Sequence, residues 1–186
     1  MSNVMENQTK KIAILLTDGF EQVEMTEPRK ALQEQGFETH LITPKGGEVK
    51  GWNHTEWGET FPSDRKLSET SPNDYDALLL PGGVMNPDDL RMEDDAVAFV
   101  SSFFEKNKLV AAICHAPILL IEADVVEGRT LTSYPSIRTD LMNAGADWVD
   151  EEVVIDDNLI TSRKPDDIPA FNQAIIEHLQ TVSQAS

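Results

Sequence analysis

The chain has 186 residues and a mass of 20.7 kDa, a size that suits one domain. Its 33 Asp and Glu residues against 15 Lys and Arg residues give a formal net charge of -18, which disfavours nucleic acid and anionic membrane surfaces as partners because like charges repel. No apolar run approaches the ~20 residues of a membrane-spanning helix, and the polar residues 1–10 do not resemble a signal peptide. We therefore expect a cytoplasmic single domain over residues 11–180, with frayed segments at 1–10 and 181–186.

The cysteine and histidine content argues against a disulfide and against a metal site. Cys114 is the one cysteine, which excludes an internal disulfide and any site built from several thiolates. The histidines are spaced unlike metal ligands. They are His40, His54, His115 and His178. The sequence therefore predicts neither a metal nor a cofactor.

Short apolar runs alternate with amphipathic runs along the chain. The predicted strands cover 12–16, 37–42, 75–80, 109–113, 130–134, 153–155 and 159–161, and the predicted helices cover 23–35, 94–106, 116–123, 137–144 and 168–179. Wholly apolar strands that alternate with helices indicate an α/β fold, with a mostly parallel central sheet and helices on both faces. Sheets of this kind bind ligands at the carboxyl ends of their strands. Three unusual segments follow predicted strands, at 18–24, 81–83 and 114–115, and they predict a site there.

Cys114 lies between the predicted strand LVAAI and a helix with Pro117 in its first turn. A sharp strand-to-helix turn exposes its residue at the sheet edge, as in nucleophile elbows. A helix start favours an anion and lowers a thiol pKa from ~8.5 into the range ~3.5–7.5. The alternative is a small buried hydrophobic residue. His115 follows directly, and because neighbouring side chains usually point apart, it acts as a base only if a carboxylate of this chain or of another subunit orients it.

Glu21 and Glu24 belong to the segment DGFEQVE, which follows the first strand. Three residues apart at a helix start, they can reach one side of the turn, or they can simply complement the helix dipole. Gly82 and Gly83 follow the strand YDALLL, and their amides can donate to an oxyanion if the segment is more than a turn. No role is assigned to Glu21.

The segments DGFEQVE, LLLPGG and AICHAP, together with GRTLTSYPSIRTDLMNAGADWVDEEVVIDDNLITSRKPDDIPAF, resemble the ThiJ/PfpI family, in its PfpI-type branch. The resemblance spans residues 11–179. It implies a flavodoxin-like three-layer sandwich of the class I glutamine amidotransferase-like superfamily. It also implies self-association as a homodimer or a larger homo-oligomer.

The resemblance implies roles for individual residues. Cys114 falls on the family's nucleophile, His115 on the histidine that follows it, and Glu24 on the glutamate that shares a proton with the thiol. The backbone amides of Gly82, Gly83 and His115 would form the oxyanion site.

A carboxylate from the neighbouring subunit orients the histidine in PfpI-type relatives, and its counterpart here is Asp88. The segment GGVMNPDDLR is one residue longer than the family pattern and has Asp in place of Glu. The segment CHAP also has Ala116 where many relatives have glycine, which narrows the pocket.

The leading hypothesis is a cysteine-dependent, hydrolase-like enzyme that acts on small carbonyl or acyl compounds, as a deglycase or a glyoxalase. An intracellular cysteine peptidase is one alternative. A non-enzymatic sensor of oxidative stress, which works through oxidation of Cys114, is another. A glutamine amidotransferase is disfavoured because no later histidine opens an HPE-like motif.

Trp52 and Trp57 lie in the polar stretch GWNHTEWGE. Two indoles in such a stretch suggest a β-hairpin that covers the pocket or joins subunits. Packing in a core or an interface is the favoured role, because aromatic residues are enriched in interface cores.

Overall fold

The computed structural model describes the backbone of residues 8–184 and the side chains of residues 8–181. Residues 1–7 and 185–186, where fraying was predicted, lie outside the described residues. Residues 181–184 differ from the prediction because they continue the last helix. Lys10 is also held in place, since its Nζ donates to the carbonyl oxygen of Leu179 at 2.8 Å.

The elements alternate between strands and helices along most of the chain. In chain order the strands are β1 (Lys11–Leu15), β2 (Phe20–Glu21), β3 (Glu38–Thr43), β4 (Glu48–Asn53), β5 (Glu56–Pro62), β6 (Arg65–Lys66), β7 (Ala77–Leu80), β8 (Leu109–Ile113), β9 (Thr130–Leu131), β10 (Asp147–Trp148), β11 (Val154–Asp156) and β12 (Leu159–Ser162). The helices are α1 (Gln22–Glu34), α2 (Met85–Leu90), α3 (Asp94–Glu105), α4 (Pro117–Glu122), α5 (Arg138–Asn143) and α6 (Ile168–Gln184).

Within residues 8–184 the central sheet has seven strands in the order β11-β12-β8-β7-β1-β3-β6. All neighbouring pairs are parallel except β11 with β12. The middle strands are apolar throughout because both of their faces are covered. In β1, for example, Ile14 pairs with Leu41 of β3 on one side and Leu79 of β7 on the other. The predicted α/β fold with a mostly parallel sheet is confirmed.

Two apolar layers cover the two faces of the sheet. Side chains alternate along β1, so Ala13 and Leu15 pack with residues of α3, α4 and α5, while Ile12 and Ile14 pack with residues of α1 and α6. The result is the three-layer sandwich that was expected. Across residues 8–184, no helix combines the length and the apolar character that crossing a bilayer requires.

The predicted strand 130–134 is shorter than expected. Only Thr130–Leu131 forms β9, which pairs with β10 outside the central sheet. The next residues bond elsewhere, since the Thr132 amide donates to Thr161 Oγ1 and the Tyr134 amide donates to the carbonyl oxygen of Cys114 at 2.8 Å. These contacts turn the segment across the end of β8, where the three unusual sequence segments meet.

Candidate active site

Cys114 occupies a strained turn between β8 and α4. Its φ is +65°, a left-handed conformation that costs a non-glycine residue roughly 1–2 kcal/mol. Hydrogen bonds on both sides hold it there: the Cys114 amide donates to the carbonyl oxygen of Ser162 at 3.0 Å, and its carbonyl accepts from the Tyr134 amide. The predicted elbow geometry is therefore present, and it directs the thiol toward the carboxyl ends of the strands.

Glu24 lies in the first turn of α1 and is completely buried. Its Oε1 accepts a hydrogen bond from the Gly82 amide at 3.0 Å, while Oε2 has no hydrogen-bond partner among the described residues. The carboxyl and the Cys114 thiol interact directly, and each perturbs the pKa of the other. A buried carboxyl oxygen without a conventional partner is costly, so the carboxyl is available to the neighbouring thiol or to a ligand.

Position 82 requires glycine because there is no room for a Cβ atom. A Cβ there would lie 2.6 Å from Glu24 Oε1 and from the carbonyl oxygen of Ile113, and 2.7 Å from Cys114 Cβ. In this structure the Gly82 amide donates to the Glu24 carboxyl, and its role toward an oxyanion remains a prediction.

The amides of Gly83 and His115 interact with the thiol itself. Both N–H groups favour the ionised form of Cys114 and lower its pKa. Gly83 has a φ of +83°, and a Cβ on it would lie 2.7 Å from the carbonyl oxygen of Gly19. Two of the three amides predicted for the oxyanion site thus favour the thiolate, and their role toward an oxyanion remains a prediction.

His115 contacts Cys114 even though the two residues are adjacent in the sequence. Its Nδ1 lies 3.2 Å from Sγ, and its Nε2 lies 3.1 Å from Ser136 Oγ. The ring also stacks on Tyr134, with ring centroids 4.7 Å apart and an interplanar angle of 25°. Burial lowers the pKa of His115, so the imidazole is neutral at neutral pH. With Nε2–H donating to Ser136, Nδ1 keeps a lone pair for the thiol proton.

Ser136 was missed at the sequence level. It lies 21 residues after His115, and only the fold of the segment after β9 brings it to the imidazole. The SYPS run around it was part of the family resemblance, and a hydroxyl just before a short helix was its only local signal.

Asp88, the predicted orienting carboxylate, lies in the first turn of α2 and is exposed. It is not among the residues that line the cavity around Cys114. Within the described chain, the group at His115 Nε2 is the Ser136 hydroxyl. A role for Asp88 across a subunit interface remains a prediction.

The electrostatics of the thiol differ from the sequence expectation. Burial, followed by repulsion from Glu24, raises the pKa of Cys114, whereas a helix-start effect was expected to lower it. Burial and repulsion from Glu21 also raise the pKa of Glu24, to about 8. Glu24 is therefore protonated at neutral pH, which removes its repulsion of the thiolate and supplies an O–H donor instead.

A cavity of about 510 Å³ opens onto these groups. Glu24, Cys114 and His115 line it, and Glu21 and His54 contribute further polar groups. Volumes of about 300–1,000 Å³ are typical of small-molecule sites. Among the described residues, no cluster of three or more His, Cys, Asp or Glu side chains is arranged to hold a metal ion.

The stretch with two tryptophans forms an antiparallel hairpin of β4 and β5, as predicted. Strand β4 also pairs with β2, which places Trp52 opposite Glu21. Glu21 Oε1 accepts a hydrogen bond from the His54 amide at 3.1 Å and lies 3.5 Å from His54 Nδ1. Trp52 and His54 line the cavity, so the hairpin forms one of its walls.

Comparison with known proteins relates the chain to one family. The model of the DJ-1/PfpI family matches residues 10–178. The chain is 49% identical to General stress protein 18 of Bacillus subtilis (strain 168) over 173 residues, which cover 92% of this chain and 98% of that protein. It is 44% identical over 172 residues to a protein of the same strain named "Putative cysteine protease YraA", covering 92% and 99%.

A solved structure gives the same result. The crystal structure of Drosophila melanogaster DJ-1beta superimposes with a TM-score of 0.84 at 30% identity, covering 92% of this chain and 90% of that one. The resemblance inferred from the sequence motifs is confirmed: the chain belongs to the DJ-1/PfpI family.

Proposed function

We propose that the protein is a cysteine-dependent enzyme that converts small α-oxoaldehydes such as methylglyoxal into α-hydroxy acids. The observation that carries the proposal is the contact of Cys114 Sγ with Nδ1 of a neutral His115, beside the buried carboxyl of Glu24. A nucleophile, a base and a proton donor thus meet at one end of the cavity. Removal of glyoxal adducts from amines, the deglycase reaction, starts from the same addition chemistry.

In the proposed reaction the Cys114 sulfur bonds to the aldehyde carbon, and the carbonyl oxygen takes up a proton to give a hemithioacetal. The remaining hydrogen on that carbon leaves as a proton, a proton is added to the neighbouring ketone carbon, and the hydroxyl proton of the hemithioacetal moves to the ketone oxygen. The first carbon is thereby oxidised to a thioester while the second is reduced to an alcohol. Water then attacks the thioester, the carbon–sulfur bond breaks, the sulfur regains its proton and lactate leaves. One water is consumed and no external oxidant or reductant is needed.

The residues divide the proton transfers between them. His115 Nδ1 accepts the thiol proton, and its Nε2–H is oriented by Ser136. Glu24, protonated because its pKa is raised to about 8, donates to the substrate oxygen. The amides of Gly83 and His115 lie at the sulfur, where they stabilise negative charge on the thiolate and on the adduct.

A peptidase is supported less well by the geometry. Protonation of an amine leaving group benefits from a carboxylate that stabilises the imidazolium, as in Ser-His-Asp triads. In the described chain, the outer nitrogen of His115 meets the hydroxyl of Ser136. Because one Bacillus subtilis relative is named a cysteine protease, peptidase activity is the alternative that the experiments must exclude.

The test is the formation of lactate from methylglyoxal by the purified protein and its Cys114→Ser variant. We expect turnover in the wild type and a loss of at least about a thousandfold in the variant. Assays with casein run in parallel. Lactate formation that survives in Cys114→Ser, or casein cleavage without lactate, would contradict the proposal.

Sensing of oxidants by Cys114 is a second candidate, favoured by the buried carboxyl of Glu24 beside the thiol. A protonated carboxyl beside the sulfur can donate a hydrogen bond to a sulfinate, and the chain has no second cysteine to form a disulfide. Mild peroxide should then add two oxygen atoms at Cys114, measured by intact mass. Addition of two oxygens in a protein without turnover supports the sensor, and a thiol that stays unmodified contradicts it.

A further inference from the structure

The cavity is larger and more apolar than a three-carbon aldehyde requires. Its volume of about 510 Å³ lies within the range of sites that bind drug-sized ligands. The reacting groups Glu24, Cys114 and His115 make up only part of its lining, which also includes the polar side chains of Glu21 and His54. The rest of the wall includes Trp52, Val84, Met85, Tyr134 and Pro165.

Trp52 presents an apolar surface to this cavity. Its one polar atom, Nε1, is already used, since it donates to the carbonyl oxygen of His54 at 2.9 Å. Its ring system packs on Trp57 in a T-shaped arrangement, with centroids 5.4 Å apart and an interplanar angle of 83°. A hydrogen-bonding substrate therefore gains nothing from Trp52, whereas a flat apolar group gains a packing surface.

The hairpin that carries Trp52 is held against the main body. The Gly19 amide donates to the carbonyl oxygen of Lys50 at 2.9 Å, and the Lys50 amide donates to Asp18 Oδ1 at 2.8 Å. Farther along, Gln22 Nε2 donates to Glu59 Oε2, and the Glu59 amide donates back to Gln22 Oε1. Because these bonds fix the wall before a ligand arrives, Trp52 needs little ordering on binding.

Tyr134 lies on another part of the wall, stacked on the catalytic imidazole. Tyr134 is 40% exposed and Val84 is 67% exposed, and both line the cavity. The exposed apolar surface of these two residues lies in the same cavity as the Cys114 thiol, so the non-reacting part of a substrate can bind to it.

We infer that the site selects α-oxoaldehydes whose ketone carries a flat apolar group, represented by phenylglyoxal, and that Trp52 determines this selectivity. The inference rests on the proposed function. Phenylglyoxal and water give mandelate by the same balanced steps, since the aldehyde carbon is oxidised and the ketone carbon is reduced. Its phenyl ring lies against Trp52 while the aldehyde meets Cys114.

The experiment compares kcat/KM for phenylglyoxal and methylglyoxal in the wild type, Trp52→Ala and Trp57→Ala. Trp57 belongs to the same hairpin but does not line the cavity, so it controls for disturbance of β4 and β5. Cys114→Ser supplies the blank, because it keeps every arginine that phenylglyoxal modifies. Intrinsic reactivity differs between the aldehydes, so the decisive quantity is the change in their ratio between variants.

We expect the phenylglyoxal-to-methylglyoxal ratio to fall by about tenfold in Trp52→Ala, the size of effect that one apolar contact supplies, and to stay unchanged in Trp57→Ala. An unchanged ratio in Trp52→Ala, or an equal fall in both variants, overturns the inference and leaves the proposed function intact.

Absence of turnover with both aldehydes would instead overturn the proposed function. The apolar site is then tested by binding alone, with acetophenone as an unreactive probe that protects Cys114 from alkylation by iodoacetamide. Protection in the wild type that is lost in Trp52→Ala supports the inference. No protection in the wild type contradicts it.

Discussion

The two ends of the central sheet treat their polar groups differently. At the amino ends of β1 and β8, polar groups are used for structure: the Lys11 amide donates to Asp76 Oδ2 at 2.8 Å, and Lys108 Nζ donates to the carbonyl oxygens of Pro72 and Tyr75. Burial lowers the pKa of Lys108, yet both of these carbonyls accept its protons. These polar groups at the amino ends of the strands therefore all have hydrogen-bond partners.

The carboxyl ends contain the opposite arrangement. Glu24 is buried beside the Cys114 thiol, Cys114 has a φ of +65°, and both groups have raised pKa values. Such strain and desolvation are typical of functional sites. The polar groups at the amino ends of the strands therefore form hydrogen bonds that stabilise the fold, whereas those at the carboxyl ends are strained and desolvated. Substitutions at the two ends should therefore separate activity from stability.

The largest effect is expected for Cys114→Ser. Activity should fall at least about a thousandfold, because the nucleophile is lost. The melting temperature should barely change, since the hydroxyl replaces the thiol in the same buried turn. Activity assays and thermal unfolding measure the two quantities. A variant that unfolds in parallel with its loss of activity would assign Cys114 a structural role instead.

Gly82→Ala should damage both stability and activity. The added Cβ collides with Glu24 Oε1 and the carbonyl oxygen of Ile113, at a cost of about 2–3 kcal/mol in the free energy of unfolding. Displacement of Glu24 removes the proposed proton donor. Gly128→Ala is the matched control, because Gly128 has a φ of +76° and open space around its Cβ position.

Gly128→Ala should therefore cost about 1–2 kcal/mol of backbone strain and leave activity unchanged. Urea unfolding and kcat/KM distinguish the two variants. Full activity in Gly82→Ala would show that the position of Glu24 does not matter for the reaction.

How far the sequence predicts this molecule depends on the range of the interactions. The strand 109–113 is found as predicted, and the helix predicted at 94–106 is observed as Asp94–Glu105, because apolar periodicity is a local signal. The family motifs also identified Glu24, Cys114 and His115 as one site. Ser136 was not found, because no local pattern ties its hydroxyl to an imidazole 21 residues away.

The pKa of Cys114 shows the same limit. The helix start predicted a lowered value, but the largest cause is burial, followed by repulsion from Glu24, a residue 90 positions earlier in the chain. Likewise, nothing in the triplet Pro81-Gly82-Gly83 shows that the Gly82 amide is occupied by a carboxyl. Steric and electrostatic facts that arise between distant segments require the structure.

At the amino ends of the strands, Lys108→Met should reduce stability without affecting catalysis. The substitution removes the donor to the carbonyls of Pro72 and Tyr75, at a cost of about 1–2 kcal/mol. Because these groups lie at the other end of the sheet, kcat/KM should stay at the wild-type value. A loss of activity larger than the loss of folded protein would contradict the claim that groups at the amino ends affect stability alone.

The smallest effect is expected for Glu21→Gln, read from the pH dependence. Glu24 loses its proton as the pH rises through about 8, and the rate should fall with it because the donor disappears. The negative charge of Glu21 raises the pKa of Glu24, so removing that charge lowers it. The alkaline limb of kcat/KM should therefore move to lower pH. If the alkaline limb of the Glu21→Gln variant stays at the wild-type pH, the fall in rate is not caused by deprotonation of Glu24.

The central claim is that Cys114 forms a covalent bond to its substrate during turnover. Rapid quenching of the protein with methylglyoxal, followed by mass spectrometry of the peptide that contains Cys114, tests it directly. The account predicts an adduct with the mass of one methylglyoxal on Cys114, which forms and decays at the rate of lactate production. Lactate formation with an unmodified Cys114 throughout would contradict it.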